Sequence, residues 1–184
     1  MHKNVLFDLD GTIIEPEEGI INSVLFALNK LGIKEDDRVA LRSFIGPPLT
    51  DSFTERYQLS ETRALEAVKC YREFFSEKGI LQNTLYDGVV DMLEELAGAG
   101  FRLFVATSKP TFYAEKIISR YGLDKYFEAV VGSNMDNTRK DKTEIIKHVI
   151  TEYKLNSHET VMVGDRKYDI IGAHDNLIRS IGVS

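Results

Sequence analysis

From about residue 84 to residue 183 the sequence alternates short apolar runs with stretches whose apolar residues recur at every third or fourth position. Asp87 is placed to cap a helix with Val90, Leu93 and Leu96 inward, and residues 101–106 follow as a buried strand. A helix then opens at Pro110 and stops at Gly122, and Ala129-Val130-Val131 reads as the next strand. Residues 141–153 carry Ile145, Ile146, Val149 and Ile150 on one helical face; Val161-Met162-Val163 is again a strand, residues 166–175 a helix, and residues 180–183 a last strand. Serial units of this kind specify a parallel sheet with helices on both faces. The run Val5-Leu6-Phe7, which ends in Asp8-Leu9-Asp10-Gly11-Thr12, has the same character and brings the expected total to about five strands.

The stretch between the first strand and the second breaks that rhythm. Ile20, Ile21, Val24, Leu25, Leu28 and Leu31 form a helical stripe that Gly32 stops, and residues 35–44 suggest a further short helix. Gly46-Pro47-Pro48 forbids continuation, Thr50 is placed to cap a helix to about Tyr57, and Ser60 a longer one ending at Gly79. No strand is expected in this part. The sequence therefore predicts an α/β, Rossmann-like core from residues 1–14 and 84–184, with an all-helical domain inserted over residues 15–83.

The chain has 184 residues with a net charge of −6, which argues against nucleic acid or an anionic membrane surface as partner. Its one cysteine, Cys70, lies in a helical pattern, cannot form an internal disulfide and is read as packing. No apolar run approaches the ~20 residues of a membrane span, and the first apolar run stops at Phe7, too early for a signal peptide. A cytoplasmic location is expected. The last strand is followed by almost no chain, and an edge strand without a covering helix is expected to be a weak point.

Open parallel sheets bind ligands beyond the carboxyl ends of their strands. Asp8 and Asp10 stand at one such end, projecting to the same side if the strand's alternation continues. Thr107, Ser108 and Lys109 follow the second core strand; Lys142 follows the third; Asp165 and, one helical turn later, Asp169 follow the fourth. Each has an ordinary structural explanation, as a turn, a helix cap or a surface charge. Their joint occurrence at separate strand ends has a chemical one. Asp8 can attack phosphorus and form an acyl phosphate, while Asp10 protonates the leaving oxygen and later deprotonates water. A hard divalent cation, Mg2+, would sit on Asp8, Asp165, Asp169 and the Asp10 carbonyl. Thr12, Ser108, Lys142 and the helix start near Pro110 would match the phosphoryl oxygens, Thr107, Ser108 and Lys109 are the expected substrate contacts of the core, and the partner would be a small phosphorylated metabolite.

DLDGT at 8–12, TSK at 107–109, Lys142 and GDRKYD at 164–169 resemble the four motifs of the haloacid dehalogenase superfamily, in order and over nearly the whole chain. The resemblance implies a magnesium-dependent phosphatase with an aspartyl-phosphate intermediate, and a helical cap that sets specificity. Asp10 favours phosphoryl chemistry, since the dehalogenases lack a carboxylate there. Residues 44–49 and 105–110 are similar to the phosphoglycolate phosphatase and bacterial 5′-nucleotidase branch. Arg42, residues 46–49 and Arg56 in the insertion, and Arg139 in the core, are the expected leaving-group contacts. A sugar phosphomutase of the same superfamily and a phospho-accepting signalling domain are the alternatives.

Overall fold

The computed structural model describes residues 3–136, 138–139 and 141–184. The chain divides into two compact units, one from residues 1–15 and 85–184, the other from residues 16–84.

In the first unit, β1 (Asn4–Phe7), β4 (Arg102–Pro110), β5 (Ala129–Ser133), β6 (Thr160–Gly164) and β7 (Arg179–Gly182) form a five-stranded sheet in the order β5-β4-β1-β6-β7. Every pairing in it is parallel. The helices between them are α4 (Val89–Gly98), α5 (Thr111–Arg120), α6 (Lys142–Glu152) and α7 (Lys167–Asp175). Two short strands, β2 (Ile14–Glu15) and β3 (Thr84–Leu85), pair separately and were not expected; two residues are too few to show alternation.

The order of strands explains where a site can form. The chain runs outward from β1 through β4 to β5, then returns to the other side of β1 for β6 and β7. The carboxyl end of β1 is thus the point where the winding reverses, the usual crevice of such sheets. Alternation sorts the packing. Leu6, Phe104, Ala106 and Met162 lie in one core with Ile145, Ile146 and Val149 of α6 and Ala173 of α7. Phe7 meets Phe127 edge-on at 6.3 Å.

Several local expectations shift. Gly88, at φ 78°, rather than Asp87, precedes α4, and the buried positions are Val89 and Leu93 while Val90 is exposed. A positive φ costs glycine nothing, so the chain enters the helix one residue later than an aspartate cap would require. β4 runs on to Pro110 with a register break between Ala106 and Pro110, which leaves Thr107, Ser108 and Lys109 in a bulge. β7 is exposed along its whole length, with Ile181 at 53%.

The second unit holds α1 (Glu17–Lys30), α2 (Leu49–Tyr57) and α3 (Glu61–Glu77), with 3-10 turns at Ala40–Phe44 and Gly79–Leu81. Residues 35–39 are not helical. The Asp37 amide donates to Glu35 Oε1 at 2.9 Å and the Ala40 amide to Asp37 Oδ1 at 3.0 Å, local bonds that compete with a helix. Ser60 caps α3 through the Arg63 amide, whereas Pro48, not Thr50, precedes α2. α1 buries Ile20, Ile21, Val24, Ala27 and Leu28, and α3 buries Ala64, Ala67, Val68, Tyr71 and Phe75. Gly19 is required here: a Cβ on it would collide with the Gly79 carbonyl oxygen.

Candidate active site

β1 ends at Phe7, one residue before the first acid. The Asp8 amide still donates to the Val163 carbonyl at 2.9 Å, so Asp8 continues the ladder to β6. Beyond it the chain turns: the amides of Thr12, Ile13 and Ile14 all converge on the Leu9 carbonyl. Gly11 sits at φ 86°, and a Cβ on it would overlap the Asp165 carboxylate. The strand ends before Asp10, and the two acids pair with different lysines.

Asp8 is 6% exposed and shares parity with Leu6, whose side packs on α6. Lys142 is the first residue of that helix, capped by Asp141 through the Thr143 amide at 2.7 Å. Its ammonium lies 2.8 Å from Asp8 Oδ1, 2.8 Å from Asp169 Oδ1 and 3.0 Å from the Ala106 carbonyl. One buried cation thus ties β1, β4 and α7 together. Burial alone would depress its pKa, yet Asp8 and Asp169 overcome that and raise it above the ordinary lysine value.

Asp169 is held from the other side by the Arg166 amide, which donates to Oδ2 at 3.0 Å across the first turn of α7. Gly164 leaves room for its carboxylate, and Gly172 lets α7 approach the Lys142 backbone and side chain. Gly172 was not singled out from the sequence as part of a site. Gly164 stands inside the GDRKYD segment, where its spacing to Asp169 carried the signal.

Carboxylate oxygens of Asp8, Asp165 and Asp169 all lie within 4.8 Å of one another. Burial, then the charge of Asp8, raises the pKa of Asp169; the same two causes push that of Asp165 to about 6 despite Arg166, whose Nε is 2.9 Å from Asp165 Oδ2. Asp10 pairs with Lys109, Nζ to Oδ2 at 2.8 Å, and burial still raises its pKa against that lysine's pull. Asp10 Oδ1, Asp165 Oδ1 and Thr12 Oγ1 are buried without a hydrogen-bond partner among the described residues. Three unsatisfied oxygens on acids and a hydroxyl beyond the adjacent ends of β1 and β6 are costly unless a ligand completes them.

The expected residues thus fall into two sets. Asp8, Lys142, Asp165 and Asp169 form the acid cluster, with Asp10 and Lys109 as a second pair; Thr12 belongs to the same loop as Asp10. Thr107 is buried and accepts the Lys109 amide at 3.3 Å, and Ser108 stands between them. Arg139 is not brought to the acids. Arg139 donates to the Gly132 carbonyl and to Asn134 Oδ1, both at 3.1 Å, and Arg42 pairs with Glu17 at 2.9 Å inside the helical unit. Arg56 is likewise held within that unit, on Glu35 at 3.2 Å.

Residues 5–183 match the family described as Haloacid dehalogenase-like hydrolase. The chain belongs to that family. A 5′-nucleotidase of Pseudomonas aeruginosa is 46% identical over 182 residues, 99% of this chain and 82% of the relative. The tyrosine-protein kinase PtkA of Mycobacterium tuberculosis is 36% identical over 169 residues, 92% of this chain but 57% of that protein. A crystal structure described as that of a predicted phosphatase from Clostridium acetobutylicum superposes with a TM-score of 0.97 at 42% identity, covering 100% of this chain and 85% of that one. As a haloacid dehalogenase-like hydrolase with phosphatase relatives, the chain is an enzyme, and its parallel sheet with flanking helices is that of its structural neighbours. No helix among its described residues is long and apolar enough to cross a membrane.

Proposed function

We propose that this protein is a Mg2+-dependent phosphatase of small phosphomonoesters, of the phosphoglycolate or nucleoside monophosphate type, working through an aspartyl phosphate on Asp8. The observation that carries the reading is the charge of the buried cluster. Asp8, Asp165 and Asp169 bring three negative charges with oxygens within 4.8 Å of one another, against Lys142 and the part-exposed Arg166, so the cluster keeps a net negative charge. A divalent cation with oxygen ligands suits that surplus of carboxylate oxygens. Asp8, Asp165 and Asp169, with the Asp10 carbonyl, would hold it, and it would neutralise charge between the carboxylate and the phosphoryl oxygens.

The protein's own groups account for the rest. Asp8 Oδ forms the bond to phosphorus as the ester oxygen departs. Asp10, whose pKa burial raises against the pull of Lys109, gives a proton to that oxygen. In the second step Asp10 takes a proton from the water that attacks phosphorus and breaks the acyl phosphate. Lys142, Thr12, Ser108 and the amides at the start of α5 receive the phosphoryl oxygens.

A panel of phosphomonoesters, with pyrophosphate and phosphotyrosine included, is the direct test when run with Mg2+, with chelator and beside Asp8→Asn. Activity on none of them, or equal activity with chelator, would remove the proposal. A mutase would need a bisphosphate to prime it, and a phospho-accepting domain would keep its acyl phosphate without turnover.

Metal removal should act on stability in a pH-dependent way. Asp165 is raised to about 6 from 3.8, so the folded protein binds its proton more tightly than the unfolded chain does. That contribution to stability is present below the unfolded pKa and is lost as pH rises through about 6. Without metal, ionised Asp165 then crowds Asp8 and Asp169. Mg2+ should therefore raise Tm more at pH 7.5 than at pH 5. Equal Mg2+ shifts at the two pH values would count against a metal on these acids.

A further inference from the structure

Lys109 was expected to touch substrate, but its surroundings fit another task. Its ammonium lies 2.8 Å from Asp10 Oδ2, and the two side chains are only 6% and 11% exposed. The backbone that carries it is clamped. The Ser133 hydroxyl donates to the Ser108 carbonyl at 2.9 Å, the Gly132 amide donates to Thr111 Oγ1 at 2.9 Å, and the Lys109 amide donates to Thr107 Oγ1 at 3.3 Å. Gly132 itself has no room for a Cβ, because the Lys109 carbonyl oxygen occupies that space. Arg139 fixes Gly132 in turn, through its carbonyl at 3.1 Å. A long, flexible side chain has thereby been given a fixed origin and a buried end.

We infer that Lys109 is a positioning residue for Asp10: it holds the carboxylate by Oδ2 and leaves Oδ1, the oxygen without a partner, as the one that exchanges a proton with the leaving group and with water. Gly132, Ser133 and Arg139 keep the lysine in place. Asp10 lies on a loop whose glycine, Gly11, has φ 86°, and without an anchor its carboxylate would adopt several rotamers. This inference rests on reading Asp10 as the proton-transfer group.

Leaving groups separate this task from a direct phosphate contact. An alkyl phosphomonoester needs its oxygen protonated as it departs, whereas the phenolate of p-nitrophenyl phosphate leaves without a proton. The test compares kcat/KM, which reports the first bond cleavage, for the most active alkyl ester of the panel and for p-nitrophenyl phosphate. Lys109→Met should lower it about 100-fold for the alkyl ester and under about threefold for the aryl one, with KM little changed. Adding Lys109→Met to Asp10→Asn should cost less than about twofold more, since both changes remove one function.

An equal loss on both esters, a rise in KM, no loss on either, or a further tenfold fall in the double variant would overturn the inference while leaving the role of Asp10 standing. The double variant removes both charges together and so reads the question even if Lys109→Met alone does not fold. If Asp10→Asn instead keeps full activity on the alkyl ester, the reading of Asp10 fails first, and the inference falls with it.

Discussion

Asp8→Asn is expected to reduce phosphatase turnover at least about 10⁴-fold and to leave no trappable phosphoenzyme, while the protein folds as before. The amide keeps an oxygen near the position of the carboxylate but cannot attack phosphorus at a useful rate. The fold should tolerate the change for a reason that is visible in the cluster. Lys142 retains Asp169 at 2.8 Å and the Ala106 carbonyl at 3.0 Å, and one of three crowded acids has lost its charge. In chelator, Tm should therefore be unchanged or slightly higher than in the unaltered protein. Mass spectrometry after a rapid acid quench and a thermal melt check the two halves. Retained hydrolysis would refute the covalent mechanism; lost activity with a much lower Tm would mean that Asp8 is first of all a structural ion pair.

How far the sequence reveals this arrangement depends on what kind of interaction places each residue. Periodicity locates the five strands and the helices between them because alternation and the helical repeat are properties of continuous segments. It also puts Asp8, Lys142 and the pair Asp165 and Asp169 after three different strands, and the winding of a parallel sheet then brings those ends together. The turns obey other rules. Val90 is exposed and Val89 buried because Gly88 sets the phase of α4. Asp10 pairs with Lys109 and Asp8 with Lys142 where β1 has stopped at Phe7 and the loop folds onto the Leu9 carbonyl, a turn that no alternation rule describes.

Pairing between charged side chains was the least legible property. Lys109 and Lys142 are both lysines after core strands, and spacing alone suggests that both would face a phosphate. In the structure each is also paired with an acid, one with Asp10 and the other with Asp8 and Asp169. The bulge in β4 that turns Lys109 toward Asp10 arises where Gly132 of the neighbouring strand accepts the Lys109 carbonyl against its bare Cα. The arginines show the opposite case. Arg42 and Arg139 are typical anion binders by residue type, yet Glu17 in the one case and the Gly132 carbonyl with Asn134 in the other take up their guanidinium groups. A sequence names the donors; which acceptor is nearest is decided by packing.

Lys142→Met should damage both stability and catalysis, and the way the two losses respond to metal and pH distinguishes their causes. The substitution keeps the bulk of a side chain that is 4% exposed but leaves Asp8 and Asp169 without the buried cation between them. Breaking a buried pair on one side costs about 3–5 kcal/mol, which for a protein of this size corresponds to a fall in Tm of roughly 6–20 °C without metal. The fall should be larger at pH 8 than at pH 5. Asp165 and Asp169 have folded pKa values raised above the unfolded one by burial and by the charge of Asp8, so protonation relieves them as pH drops and ionisation penalises them as it rises. Adding Asp8→Asn should recover part of the lost stability, because one of the orphaned charges is then gone; the two substitutions are coupled through one cluster and cannot add. Mg2+ should restore stability to Lys142→Met but not its activity, which should stay about 10²–10³-fold down, since the lysine also meets the charge that develops on the phosphoryl oxygens. A variant whose Tm is unmoved in chelator at pH 8 would mean that Lys142 is not the counter-charge of the buried acids. One whose activity returned in full with Mg2+ would leave the lysine a structural role alone.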